Sequence, residues 1–135
     1  MLEIEYDYNF VLIGISSHEK DYRICWALNN ILKLDLVKIA PLEIKDKKQD
    51  KPSYFSLFEY LIPDEFMEYF IIANQSEKGV LIAEQKNMDY FFIIRGEIDE
   101  DKVTEIIKKI KDLSIVQTAV RIDLSTLKFK QNLII

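Results

Sequence analysis

The stretch Tyr8–Leu32, YNFVLIGISSHEKDYRICWALNNIL, changes its apolar period part-way, and that change sets the fold class. Tyr8–Ile15 is apolar at both alternating positions, the pattern of a central strand covered on both sides. From Ser16 the period becomes helical. Ser16 and Glu19 have capping-box spacing, with the Glu19 side chain able to reach back to the Ser16 backbone N–H, and the helix is expected to run to about Leu32. Within it Ile24, Leu28, Ile31 and Leu32 gather on one side, with Cys25 at its edge.

Downstream, Leu34–Ile39 reads as a short strand and Pro41–Pro52 as a polar loop. Tyr54–Leu61 and Met67–Ala73 are β-branched or aromatic runs joined near Pro63-Asp64. Asn74–Gly79 is a turn in which Gly79 can take positive φ. Val80–Ile82 is another short strand, then a connector leads to the apolar run Asp89–Arg95. A second helix is written by Val103, Ile106, Ile107, Ile110 and Leu113 at i, i+3, i+4, i+7 spacing. Asp99 can cap it, Ile98 and Val103 occupy hydrophobic-staple positions, and Lys108, Lys109 and Lys111 suit the negative end of its dipole. Ile115–Ile122 is a final strand. The tail after Asp123 carries Leu124, Leu127, Phe129, Leu133, Ile134 and Ile135.

Strand, helix, several strands, helix, strand is the order of an α+β chain. The economical arrangement is a two-layer sandwich, a mainly antiparallel sheet with two helices on one face, drawn as a ferredoxin-like core with an inserted meander. The 135 residues make one domain, large enough to bury a core without disulfides or metals. With 49% hydrophobic and 30% charged residues the chain has globular composition, and 3 Gly and 3 Pro leave no room for long flexible linkers.

The same numbers exclude function classes. A net charge of −5 disfavours nucleic acid, whose phosphates repel an acidic surface. The basic stretch Lys45–Lys51 (KDKKQDK) is broken by Asp46 and Asp50 and reads as a solvated loop. No apolar run approaches the ~20 residues that span a bilayer, and MLEIEYDYNF lacks the basic lead of a signal peptide. With 1 Cys the chain cannot close a disulfide on itself, which points to a reducing compartment and a cytoplasmic protein.

Candidate chemistry is sparse. His18 is the sole histidine, so a site needing two imidazoles is impossible, and no metal or cofactor motif is present. Cys25 lies mid-helix beside the apolar stripe and reads as an inert thiol. Gly14-Ile15-Ser16-Ser17-His18 joins strand to helix, where free N–H groups favour an anion. Neither phosphate-binding glycine motif occurs there, so a capped helix start is the simpler reading. Glu84 and Asp89 flank the connector, as a pair able to share acid–base work or as turn and cap residues.

The segment Ile82-Ala83-Glu84-Gln85-Lys86-Asn87-Met88-Asp89-Tyr90 resembles the signature of the IPExxxVDY family, a bacterial family of unassigned function. Ile82, Glu84, Asp89 and Tyr90 match, while Ala83 and Met88 stand where the name has Pro and Val. Ser17–Asn29 is also similar to that family's N-terminal half. The resemblance covers nearly the whole chain and implies no activity.

The first helix carries one anomaly. Tyr22 and Trp26 form a second stripe, away from Ile24 and Leu28, with His18 and Asn29 beside them. A helix packed on a sheet needs one apolar stripe, so something must cover this one: the tail, a protein partner or a second copy of the chain. The preferred expectation is a non-enzymatic interaction protein, a homodimer built on this face or the tail. The alternative is a small-ligand or anion-binding domain, or an enzyme, at Ser16–His18 or at Glu84, Asp89 and Tyr90.

Overall fold

A computed structural model describes residues 10–45, 51–128 and 130–133. Tyr8, the interior of the Lys45–Lys51 stretch, and Phe129, Ile134 and Ile135 of the tail lie outside the described residues. The elements are β1 (Val11–Ser16), α1 (Asp21–Leu32), β2 (Val37–Ile44), β3 (Ser53–Ile62), β4 (Met67–Ala73), β5 (Gln75–Ser76), β6 (Gly79–Val80), β7 (Tyr90–Arg95), α2 (Glu100–Lys111) and β8 (Thr118–Arg121).

Six strands form one sheet in the order β2-β3-β4-β7-β1-β8, with every neighbouring pair antiparallel. β5 and β6 make a separate two-stranded hairpin. β1 and β4 run parallel on either side of β7, and β7 and β8 run parallel on either side of β1. With α1 and α2 these are two interleaved split β-α-β units, the ferredoxin-like core, and β2–β3 is the meander inserted after α1.

The continuous apolar runs follow from this order. β1 and β7 sit inside the sheet and are buried on both faces. Val11, Ile13, Ile15, Phe92 and Ile94 pack under the helices with Ile24, Leu28, Val103, Ile106 and Ile110. Leu12, Phe91 and Ile93 point the other way, into a second core with Phe55, Phe70, Ile72, Leu81, Ile82, Leu127 and Leu133. The hairpin connector and the tail therefore roof the face opposite the helices. Gly14 points into this second core, where an added Cβ would lie 2.7 Å from Ile122 Cδ1 and 2.8 Å from Met88 Cγ. A side chain there would displace both.

α2 is as its sequence dictates: Asp99 Oδ1 accepts the Lys102 N–H at 3.0 Å, and Val103, Ile106 and Ile110 are buried. α1 differs at its start. It begins at Asp21 rather than Ser16, its N-cap Lys20 makes no side-chain cap, and the Ser16–Glu19 capping box does not form. The reason is tertiary, because Ser16 ends β1 by pairing with Thr118 and Ser17 bonds to Asp89. β2 also runs further than expected, through Pro41 to Ile44. It is an edge strand, and its register shifts between Ile39 and Leu42, so the proline's missing N–H breaks no ladder.

Candidate functional site

Two places gather the candidate residues. The first is the junction where β1 leaves the sheet for α1. Asp89 lies at the entrance to β7, and its Oδ2 accepts the Ser17 N–H at 2.8 Å and the Ser16 hydroxyl at 3.4 Å. The buried Ser17 hydroxyl donates to the Ile115 carbonyl at 2.6 Å and accepts the Glu19 N–H at 3.1 Å. The Tyr90 hydroxyl donates to the Glu19 carbonyl at 2.6 Å. Burial, and then the carboxylates of Asp21, Asp89 and Glu19, push this phenol up to about 12, so it stays a neutral donor. The N–H that could have held an external anion is thus satisfied by the protein's own carboxylate.

Glu84 serves a different partner. Its Oε2 accepts the Lys128 N–H at 2.6 Å and ties the connector to the tail. Ile82 is fully buried in the second core. All four matching signature residues therefore hold the fold: one apolar anchor, two carboxylate acceptors and one phenol donor.

The residue that organises the connector escaped the sequence reading. Asn74 is 0% exposed, and its amide nitrogen donates to the carbonyls of Gln85 at 2.9 Å and Met88 at 2.8 Å. Its Oδ1 accepts the Ile82 N–H at 2.8 Å, while its backbone pairs with Asp89 and Leu81. An asparagine closing an apolar run reads as a turn residue. Nothing local in the sequence shows that its amide meets three backbone groups of the connector that follows.

The second place is the outward face of α1. Trp26 is 70% and Tyr22 is 60% exposed, one helical turn apart. Among the described residues the tail does not cover them, since Leu127 and Leu133 belong to the core on the opposite face of the sheet. Phe66 is also exposed, in the turn between β3 and β4. His18 is exposed at the edge of the loop before the helix.

Asn29 is spent inward. Its amide nitrogen donates to the Leu36 carbonyl at 3.1 Å and its Oδ1 accepts the Leu36 N–H at 2.8 Å, fixing the helix end to the start of β2. Asp21 anchors the other end, accepting from the Ser56 hydroxyl at 2.5 Å, the Tyr22 N–H at 2.7 Å and the Lys38 ammonium at 3.5 Å. The helix that presents Tyr22 and Trp26 is thus pinned at both ends. Cys25 is buried between, its thiol pushed up to about 11 by burial and then by the charge of Asp21, so it is protonated and unreactive at neutral pH.

Among the described residues no cluster of three or more His, Cys, Asp or Glu is placed to hold a metal ion, and no helix is long and apolar enough to cross a membrane. Compared with protein-family models, curated proteins and solved structures, the chain finds no match.

Proposed function

We propose that this chain is a non-catalytic protein-binding module of a reducing, cytoplasmic compartment, docking a protein partner on the outward face of α1. One observation carries the reading: the chain's single tryptophan stands 70% exposed beside a 60% exposed tyrosine. Both ride on a helix held rigid by Asp21 and Asn29. Tyr and Trp are enriched in interface cores because they bury large area at small entropic cost, and a pinned helix loses little more on docking. The buried thiol of Cys25 supports a reducing setting. The small-ligand or enzymatic reading has weaker support, because Ser16, Ser17, Glu84, Asp89 and Tyr90 direct their hydrogen bonds at the protein's own backbone and side chains.

The test is a photo-crosslinking amino acid at position 26, introduced in the native cell. A discrete protein adduct that disappears with Tyr22→Ala is the expected result. Absence of any protein adduct at position 26, with the protein folded and abundant, overturns the reading.

A further inference from the structure

We propose that Phe66 anchors a second interface, where the turn between β3 and β4 docks into an apolar pocket, rimmed by Lys or Arg, on a basic protein. The inference goes beyond the α1 face: it concerns a different element and does not depend on Tyr22 or Trp26. Phe66 combines two features that each count against folding. Its ring is 85% exposed, so it contributes almost no burial. Its backbone stands at φ 55°, the left-handed region that is strained for a bulky L-residue and suits Gly or Asn.

The turn demands the conformation but not the residue. Pro63 opens a 3-10 turn over Pro63–Glu65, the Phe66 N–H closes it on the Pro63 carbonyl at 3.1 Å, and Met67 enters β4 buried. Gly96 packs against the other side, where an added Cβ would lie 2.6 Å from the Phe66 carbonyl oxygen. A glycine at position 66 would keep every one of these backbone contacts and relieve the strain. The fold therefore has no use for the ring. It is nonetheless held in a fixed direction by backbone locked from two sides, as suits an anchor that loses little freedom on docking.

Charge selects the partner. Asp64 and Glu65 are exposed beside the ring, and Glu97 follows the Gly96 that abuts it. Among the described residues none of these three carboxylates makes an ion pair. No Lys or Arg occurs from Pro52 to Glu77, and Arg95, which precedes Gly96, pairs with Glu68 at 3.0 Å. A second copy of the chain, of net charge −5, would set negative charge against these carboxylates, and so would nucleic acid or an anionic membrane. A cationic rim around an apolar pocket complements both the ring and its surroundings.

The experiment has two readouts. In thermal denaturation of the purified full chain, Phe66→Gly and Phe66→Asn are expected to raise Tm by about 2–5 °C, because both residues relieve the left-handed strain. In the native cell, a photo-crosslinking amino acid at position 65 is expected to give a discrete adduct. On the partner, the adduct should map to an apolar site flanked by Lys or Arg. Phe66→Gly should abolish it, and Asp64→Lys should reduce it roughly fivefold or more. Because the variant that loses the adduct is the more stable one, unfolding does not explain the loss. An equal or lower Tm in both Phe66 variants overturns the proposal. So does the absence of any adduct, an adduct that survives Phe66→Gly or Asp64→Lys, or one that maps to a second copy of this chain or to a site without Lys or Arg.

Discussion

Asn74 shows what a single buried amide can hold. Three of its side-chain hydrogen bonds go to backbone groups that have no strand to pair with, so the 83–88 connector depends on this residue for its shape. Asn74→Ala takes the partner from the buried Ile82 N–H and from the Met88 carbonyl, leaves the Gln85 carbonyl with the Met88 N–H alone, and should destabilise the protein by about 2 kcal/mol or more in equilibrium denaturation. Asn74→Asp should be no milder, since its oxygens cannot donate to the Gln85 and Met88 carbonyls. Gly14 is a steric case. Gly14→Ala should cost about 1–3 kcal/mol through overpacking, and Met88→Ala in the same chain should recover part of that loss as a measured coupling in a double-mutant cycle. Neither residue was legible from sequence: each is decided by what the fold brings against it, for Gly14 from as far along the chain as Ile122.

Among the elements, legibility followed locality. α2 carries its stripe, cap and charge gradient within or beside its own residues, and it formed over Glu100–Lys111 with Asp99 as its cap and Val103, Ile106 and Ile110 buried. α1 kept Ile24, Leu28 and Leu32 inward, while Ile31 is half-buried and joins neither core, and it lost its expected start because Ser17 is engaged by a carboxylate 72 residues away. Leu28 is buried under α1, and Leu28→Ala should destabilise the fold by about 2–5 kcal/mol through lost burial plus the cavity left behind. A near-neutral result would mean that this side of the helix is not the packed one. Asp21 makes the helix start sensitive to acid. Burial raises its pKa, but the Ser56 hydroxyl, the Tyr22 N–H and the Lys38 ammonium outweigh burial and hold it below its ordinary value of 3.8. A depressed folded pKa contributes stability that is present above the unfolded value and lost as pH falls through the folded one. Denaturation midpoints of the wild type should therefore fall in that acid window, and Asp21→Asn should flatten this part of the fall. An unchanged acid limb would mean that the Ser56 and Lys38 contacts do not discriminate between the two protonation states.

For the whole molecule, the sheet has two cores and only one of them lies under helices. The sequence marked β1 as a strand covered on both sides and β7 as a continuous apolar run, yet it did not show what roofs the second face. The roof is irregular, made of 3-10 turns with no period to read. Truncation after Ile122 removes Leu127 and Leu133 from that core, at a cost of roughly 3–6 kcal/mol for two fully buried leucines. The position of Trp26 on the opposite layer gives the control: its emission should not shift in the truncated chain while that chain remains folded. A red shift without unfolding would mean that the tail reaches α1 after all.

The place of β1 in the sheet also has a consequence in time. Val11–Ser16 is synthesised before any other described strand, but its two neighbours are β7 and β8, so Ile15 waits for Tyr90 and Ala119. The meander β2–β3–β4 can zip as soon as it emerges, since its pairings are local. The central strand cannot. A nascent chain that ends before Tyr90 holds an unpaired apolar ribbon, Phe10–Ile15, with open N–H and C=O groups on both sides. Ribosome-stalled chains of increasing length should accordingly bind hold-type chaperones until β7 has cleared the exit tunnel, and release them abruptly rather than by degrees once β8 follows.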